Sequence, residues 1–537
     1  MRWRAGPWIG VILLAVCCQA EGTPRPSAFR VRPYLQNPAP DAMTVRWLTN
    51  DDAPGTLRVA GREFTSAPVL CLELAYQPNE VRDDRLGSAP FLHSVRVTGL
   101  EPAKSYPYTV EQGDETRKAI LTTAPKPGDV GPGGGVRLFF YADCEAQPES
   151  RGARVAWPPS PSMPGGPRPR WVEGRYPADE TTGYRMNLAL IAARAAESLR
   201  AKNPVLVSVV GDLVESGGEQ RDWDEFWRHN AGDFGTLASR VPIVAALGNH
   251  ELFGGPPSDD PKKDLGGYSS RATLVGAMKF LTYFDHPTNG AHDERHEERY
   301  HRIDFGPVTL LTLDTTNGGR DDGPDDTNHD LDRADASHVP DYAPGSEQYA
   351  WLERQLSDAR AGGRIIFVQF HHAPYSSGPH GLPPGDGLGE NPQSGQPLRA
   401  LTDLFRTHGV RAVFSGHDEM YEHSIVDGIH YYDVGIGGDA LRGPEAGTNN
   451  ERQVFLAHDH APEHWKGDVL KSGGKHYGHV EVDVTRAAPG PRLTVTIRPV
   501  HVFPVLDPDK PGTIVTWERR EYDDVVTFDA AIKEPSR

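Results

Sequence analysis

The chain has 537 residues and a net charge of -18, with 57 glycines and 48 prolines. That length holds one large domain with a smaller companion, and the glycine and proline content makes many connections loops rather than long helices. The charge argues against a protein that wraps a nucleic-acid backbone, which needs basic surface; an acidic chain acting on a small anionic substrate would draw local positive charge from bound cations.

The first twenty residues read as an export signal. Arg2 and Arg4 form a basic leader, Trp8 to Val16 a short apolar core, and Cys18-Gln19-Ala20 supplies small residues before a cut. The core is too short to anchor in a bilayer, which takes roughly 20 apolar residues, and no later stretch approaches that length. The expected location is therefore secreted or periplasmic, with no stable membrane span. Lipid attachment at Cys17 or Cys18 is the weaker alternative, because Val16 is a poor residue immediately before a lipidated cysteine. Cutting after Ala20 takes the net charge from -18 to -20 and leaves Cys71 and Cys144. These two fall in different predicted domains, so a disulfide framework is not the stabilising device.

From residue 28 to 123 the text is strand-like. Met43-Thr44-Val45-Arg46-Trp47, His93-Ser94-Val95-Arg96-Val97 and Tyr106 to Val110 are short alternating runs separated by turn residues. They predict a small all-β sandwich of the fibronectin type III kind, serving as a spacer or packing partner. Residues 124–135 are a Pro/Gly-rich linker.

Beyond the linker, strands interleave with helices, which predicts an α/β domain over residues 136–503 followed by a C-terminal extension, 504–537. Short apolar strands are expected at Val136 to Tyr141, Val205 to Val210, Val241 to Leu247, Arg364 to Phe370 and Ala412 to Phe414. Helices are expected at Tyr184 to Lys202, Ser346 to Ala361 and Pro397 to His408. The Pro-rich segment from Ala146 to Asp179 reads equally as a lid or as a plain surface insertion. The acidic run Asp326 to Asp332 reads as a solvated loop, since it lacks the glycine and terminal glutamate of a calcium loop.

All five predicted strands finish in metal-ligating or proton-carrying side chains: Asp143 with Glu145, Gly211-Asp212, Gly248-Asn249-His250-Glu251, His371-His372 and Gly416-His417-Asp418-Glu419. Any one is weak evidence, because such pairs are common in loops. Five in order, each after an apolar strand, place a single site where the carboxyl ends converge.

This series resembles the calcineurin-like metallophosphoesterase superfamily, and most closely its purple acid phosphatase branch with an N-terminal fibronectin-like domain. Arg32-Pro33-Tyr34-Leu35-Gln36 and Leu121-Thr122-Thr123 are similar to the opening and closing text of that small domain. The resemblance extends from about Phe29 to Val502. It implies a four-layer sandwich, two mixed sheets flanked by helices, and two metal ions. Asp212 matches the bridging carboxylate, Asp143 a ligand of the first metal, and Asn249, His371 and His417 ligands of the second. His250 matches the histidine that contacts phosphate and serves as general acid. The register of Phe370-His371-His372-Ala373-Pro374-Tyr375 selects His371, leaving His372 to point to the other side of the strand. It also nominates His380 as a second histidine near the phosphate. The implied reaction is hydrolysis of a phosphate monoester by a hydroxide that two cations share. A phosphodiesterase or nucleotidase on the same centre is the near alternative, and a secreted binding or adhesion protein with a degenerate site is the distant one. The implied partner is a small phosphate ester; the oligomeric state is not read from the sequence.

Three departures bear on the chemistry. Glu215 stands where the purple enzymes carry their iron-binding tyrosine. Glu419 replaces an imidazole of the first metal, and Glu145 occupies another histidine ligand position. A first site rich in carboxylate oxygen favours a hard cation such as iron, manganese, magnesium or calcium, while the second would suit iron, manganese or zinc. The extra negative charge should also raise the pKa of bound water and shift activity above acidic pH. With Glu215 in the tyrosine's place, the iron-loaded protein should show no visible tyrosinate band. An absorption spectrum of a purple preparation would contradict that reading.

Overall fold

The computed structural model describes residues 27–78, 80, 88–148, 179–256, 265, 267–316, 339–381, 395–439, 441–448, 450–457, 463–467, 469–486, 492–507, 509–510 and 513–531. The leader, most of the Ala146 to Asp179 segment and the acidic run at 326–332 lie outside them. Among the described residues no helix is long and apolar enough to cross a membrane.

Two four-stranded antiparallel sheets come first. One runs in the order Phe29–Gln36, Met43–Thr49, Phe91–Val97, Val69–Leu70, and the other Arg62–Ser66, Gly55–Val59, Ser105–Gln112, Glu115–Thr122. The inward residues of their alternating strands, among them Val45, Trp47, Leu57, Val95, Val97 and Val110, make a core of their own. Trp47 stacks on His93 at 4.8 Å and donates its indole N–H to Gln112 Oε1 at 3.1 Å, so its one polar atom is paired.

The rest of the chain forms two larger sheets laid face to face. One has nine strands, with Ile243–Ala246, Val205–Val210 and Gly135–Tyr141 in parallel, continued by Gly478–Thr485, Arg492–Leu506 and Ile514–Tyr522 in antiparallel. The other has seven, and its centre, Val308–Thr312, Ile365–His372, Val410–Gly416 and Ile429–Val434, is parallel. Alternation decides which side chains meet. Leu138 and Phe140 turn into the space between the sheets, where Phe140 stacks on Phe414 at 3.8 Å. Phe139 and Tyr141 turn outward beneath helices Glu180–Arg200 and Gln220–Ala231. On the far side, helices Glu347–Ala361 and Thr402–His408 cover the seven-stranded sheet through Trp351, Leu352 and Phe405. The result is the expected four-layer α/β/β/α sandwich.

Local chemistry sets the ends. Asp179, Ser269 and Ser346 each cap a helix by accepting a backbone N–H from Thr182, Ala272 and Tyr349. The helix expected from Pro397 to His408 divides into a 3-10 segment, Gln396–Leu401, with Pro397 in its first turn, and an α-helix, Thr402–His408. The described strands past 503 stay with the large sheet: Arg492–Leu506 carries through, and Ile514–Tyr522 and Val526–Ala531 both pair with it.

The small module is bolted to the large one. Arg30 forks onto Asp224 at 3.0–3.1 Å, the Tyr34 hydroxyl donates to the Tyr283 carbonyl at 2.9 Å, and the Tyr34 ring lies 4.3 Å from Trp227. Cys71 and Cys144 are both buried and unpaired, within one apolar cluster under this junction.

His286 and His301 stack at 3.9 Å inside the large module, and burial pushes His286 down to about 3 and His301 well below its ordinary value. Above pH 6.5 neither state of the chain protonates them. Below it the unfolded chain takes up protons that the folded one refuses, so each ring costs about 1.4 kcal/mol of stability per pH unit. Melting temperature should fall between pH 6 and 4, and less steeply in H301L; parallel curves would refute the assignment.

Candidate metal centre

The parallel strands of both sheets deliver their carboxyl ends to one place. Asp143 follows Gly135–Tyr141, Asp212 follows Val205–Val210, Asn249 and His250 follow Ile243–Ala246, His371 ends Ile365–His372, and His417 and Glu419 follow Val410–Gly416. Backbone conformation then turns the side chains inward. Of the eleven non-glycine residues with positive φ among the described residues, five are here: Asp143 (55°), Glu145 (37°), Asp212 (51°), His417 (81°) and Glu419 (49°). Side chains rarely adopt this left-handed region, which costs on the order of 1 kcal/mol or more each.

Glycines leave the necessary room. A Cβ on Gly248 would lie 2.1 Å from Asp212 Oδ1, and one on Gly416 2.3 Å from Asp143 Oδ2. The Gly-x pairs of the sequence are thus close approaches of backbone to carboxylate rather than flexible joints.

Asp212 sits at the middle. Its Oδ2 is 2.7 Å from His371 Nε2, and its Oδ1 accepts the His250 backbone N–H at 2.9 Å. Ligand atoms of Asp212, His371 and His417 lie within 4.8 Å of one another, and so do those of Asp143, Glu145 and Asp212. One carboxylate therefore belongs to two clusters. Asp143 receives the His417 backbone N–H on both oxygens at 3.0 Å, tying the two sheets together. His371 Nδ1 donates to the Val210 carbonyl at 2.9 Å, which turns Nε2 to the cluster. Asn249 donates its amide to the Tyr268 hydroxyl at 3.2 Å, while its buried Oδ1 has no partner among the described residues. His250 Nδ1 donates to the Glu215 carbonyl at 2.8 Å, leaving Nε2 facing Glu145 Oε1 at 3.9 Å.

His380 joins through its neighbours. It stacks on His417 at 3.8 Å and holds Asp418 Oδ1 at 2.6 Å through Nδ1. His372 stays outside the ligand clusters of the described residues. Its ring lies 4.7 Å from that of His417, with Nδ1 2.8 Å from Thr315 Oγ1.

Three further residues were not assigned from the sequence. Glu251 collects the backbone N–H groups of Asp212, Leu213 and Gly248 at 3.0, 2.7 and 2.7 Å, bracing two site loops with one carboxylate. Asp418 orients His380. Asp439 lies with Glu145 and Glu419 in another cluster within 4.8 Å, and its backbone N–H donates to the Asp143 carbonyl at 3.0 Å. Asp439 had a legible signal, because Ile429–Val434 followed by Gly-rich text repeats the pattern of the other strand ends.

Burial shapes the electrostatics. It pushes Asp143 up to about 7 and Glu145 well above the carboxylate range, the latter aided by Asp439, Glu215 and Glu419. It also lifts Glu419, although Arg442 Nε lies 2.7 Å away. Against the same burial, Asp212 brings His371 up to about 9, while His371 and His250 hold Asp212 low. Buried carboxylates crowded in this way are costly unless positive charge neutralises them. The donor set of carboxylates, imidazoles and an amide oxygen with no partner among the described residues fits cations.

Residues 184–420 match the family model for calcineurin-like phosphoesterases. The chain carries a calcineurin-like metallophosphoesterase domain. Among individual proteins it is similar to probable inactive purple acid phosphatase 9 of Arabidopsis thaliana, 24% identical over 193 residues. That match covers 34% of this chain and only 25% of the relative's length. The fold resembles the solved structure of the purple acid phosphatase PPD1 from yellow lupin (Lupinus luteus) seeds, with a TM-score of 0.54 and 16% identity over 91% of this chain and 74% of that one. It also resembles the structure of PhoD, with a TM-score of 0.53 and 13% identity over 94% and 91%.

Removing the Glu251 carboxylate strands three buried backbone donors. E251A should therefore lose on the order of 3 kcal/mol or more of stability, with E251Q retaining part of it. Unfolding by denaturant measures this, and an unchanged midpoint in E251A would refute the bracing role.

Proposed function

We propose that this protein is an exported phosphomonoesterase working with two cations. The carrying observation is Asp212, shared between a cluster with Asp143 and Glu145 and a cluster with His371 and His417. In this reading Asp143, Glu145 and Glu419, with Asp439 beside them, hold the first cation. Asn249, His371 and His417 hold the second, and Asp212 lies between. Bound cations supply Lewis acidity towards the phosphoryl oxygens and acidify a bound water. The oxygen-rich first cluster suits a hard cation.

The chain's own residues complete the chemistry. His250 is fixed by its Nδ1–H to the Glu215 carbonyl, so its Nε2 presents a proton to the departing ester oxygen. As water-derived hydroxide forms its bond to phosphorus, the bond to the leaving oxygen breaks and that oxygen takes the His250 proton. His380, held by Asp418, offers a second imidazole on the His417 side. Glu215 and Glu145 flank His250 at 3.9 Å on either nitrogen. The small all-β module, bolted through Arg30 and Tyr34, serves as a fibronectin-like packing partner.

Purified protein should hydrolyse p-nitrophenyl phosphate faster than bis-p-nitrophenyl phosphate. Chelation should abolish turnover, and manganese, iron or magnesium should restore it. D212N should lose at least a hundredfold in kcat and bind metal at reduced stoichiometry. Full activity after chelation would overturn the proposal, faster turnover of the diester would reassign the substrate class, and a folded protein inert with every metal would favour a binding module.

A further inference from the structure

A cavity of about 420 Å³ lies away from the metal centre, between the small module and the helix Glu180–Arg200. The helix contributes Ala192, Ala195, Ala196 and Leu199, spaced i, i+3, i+4 and i+7 along one face. Ile120 closes it from the module, and Leu237 and Val241 close it from the floor. Three alanines on a face that meets another domain leave unfilled the space that larger side chains would take. The volume falls within the roughly 300–1,000 Å³ of small-ligand pockets.

The rim has a sign. Arg200, in the last turn of the helix, and Arg240 are both exposed at the cavity, and none of the lining residues is acidic. Among the described residues neither guanidinium makes a side-chain hydrogen bond or an ion pair. Elsewhere the arginines at this domain junction are engaged, as Arg30 is with Asp224. Two unengaged guanidinium groups over an apolar cavity, in a chain of net charge -18, complement a ligand with one anionic head and an aliphatic body. The Ser105 and Thr122 hydroxyls bond to each other at 2.8 Å, so they do not demand a polar interior ligand.

We infer that this interdomain cavity binds a single-chain amphipathic anion of the fatty carboxylate class, with the chain among the helix alanines and the head between Arg200 and Arg240. The small module then contributes a wall to a ligand site as well as packing. The arrangement is independent of the phosphatase reading.

Isothermal titration of the full chain with dodecanoate, below its micellar concentration, tests this. One equivalent should bind saturably. R200Q/R240Q should weaken binding at least tenfold, and A196W should abolish it. I120W, which alters a half-exposed position on the module, should also abolish it and covers the case in which A196W fails to fold. Acetate and dodecyltrimethylammonium should not bind. No binding by the wild type, equal binding of the cationic amphiphile, or unchanged affinity in R200Q/R240Q would overturn the inference. So would a dimer seen in sedimentation that I120W dissociates while dodecanoate leaves it intact, since the face would then be a contact between copies.

Discussion

Negative charge gathered in a dry place is the constraint on which this molecule turns. Asp143, Glu145, Asp212 and Glu419 are all buried, from strand ends of two different sheets. Their mutual repulsion and lost hydration oppose folding, and the fold answers with directed hydrogen bonds. His417 and His250 each donate a backbone N–H to a site carboxylate. Glu251, itself pushed up to about 7 by burial, pins the loops that carry Asp212 and Gly248. Positive-φ backbone and closely approaching glycines supply the remaining geometry. Bound cations would relieve the charge that these devices leave.

The sandwich makes such a gathering possible. Each sheet keeps parallel strands at its centre, so several carboxyl ends point the same way. Packing of Phe140 against Phe414 sets the two sheets at a fixed distance, and the pairing of Asp143 with His417 spans the gap at the rim. Apolar core and polar site are thus two ends of the same strands. A shift in one sheet would move half of the donor set relative to the other half.

The module junction shows a different balance. Arg30, Tyr34 and Tyr108 fasten it by hydrogen bonds, the last to the Ser239 carbonyl at 2.8 Å, yet the alanine face of the Glu180–Arg200 helix leaves space beside them. The cavity lies beside Ser105, Ile120 and Thr122, on strands of the second small sheet.

Much of this was legible in the residues. Apolar runs ending in Asp143, Asp212, Asn249, His371 and His417 announced strands whose ends share a site, because a continuous apolar run and its terminal polar residues are local features. The all-β text before residue 123 and the α/β text after it were legible for the same reason. What local text could not carry was direction and partnership. That Glu251 braces two loops depends on three backbone groups meeting it, and that Asp439 joins Glu145 and Glu419 depends on a loop from a neighbouring strand. Ile514–Tyr522 and Val526–Ala531 pair into the nine-stranded sheet through non-local hydrogen bonds that no alternation reveals. By itself the sequence determined which side chains were available and roughly where each strand stopped. Tertiary structure alone decided which met around Asp212, since contacts between residues far apart in the chain are set by sheet order and packing.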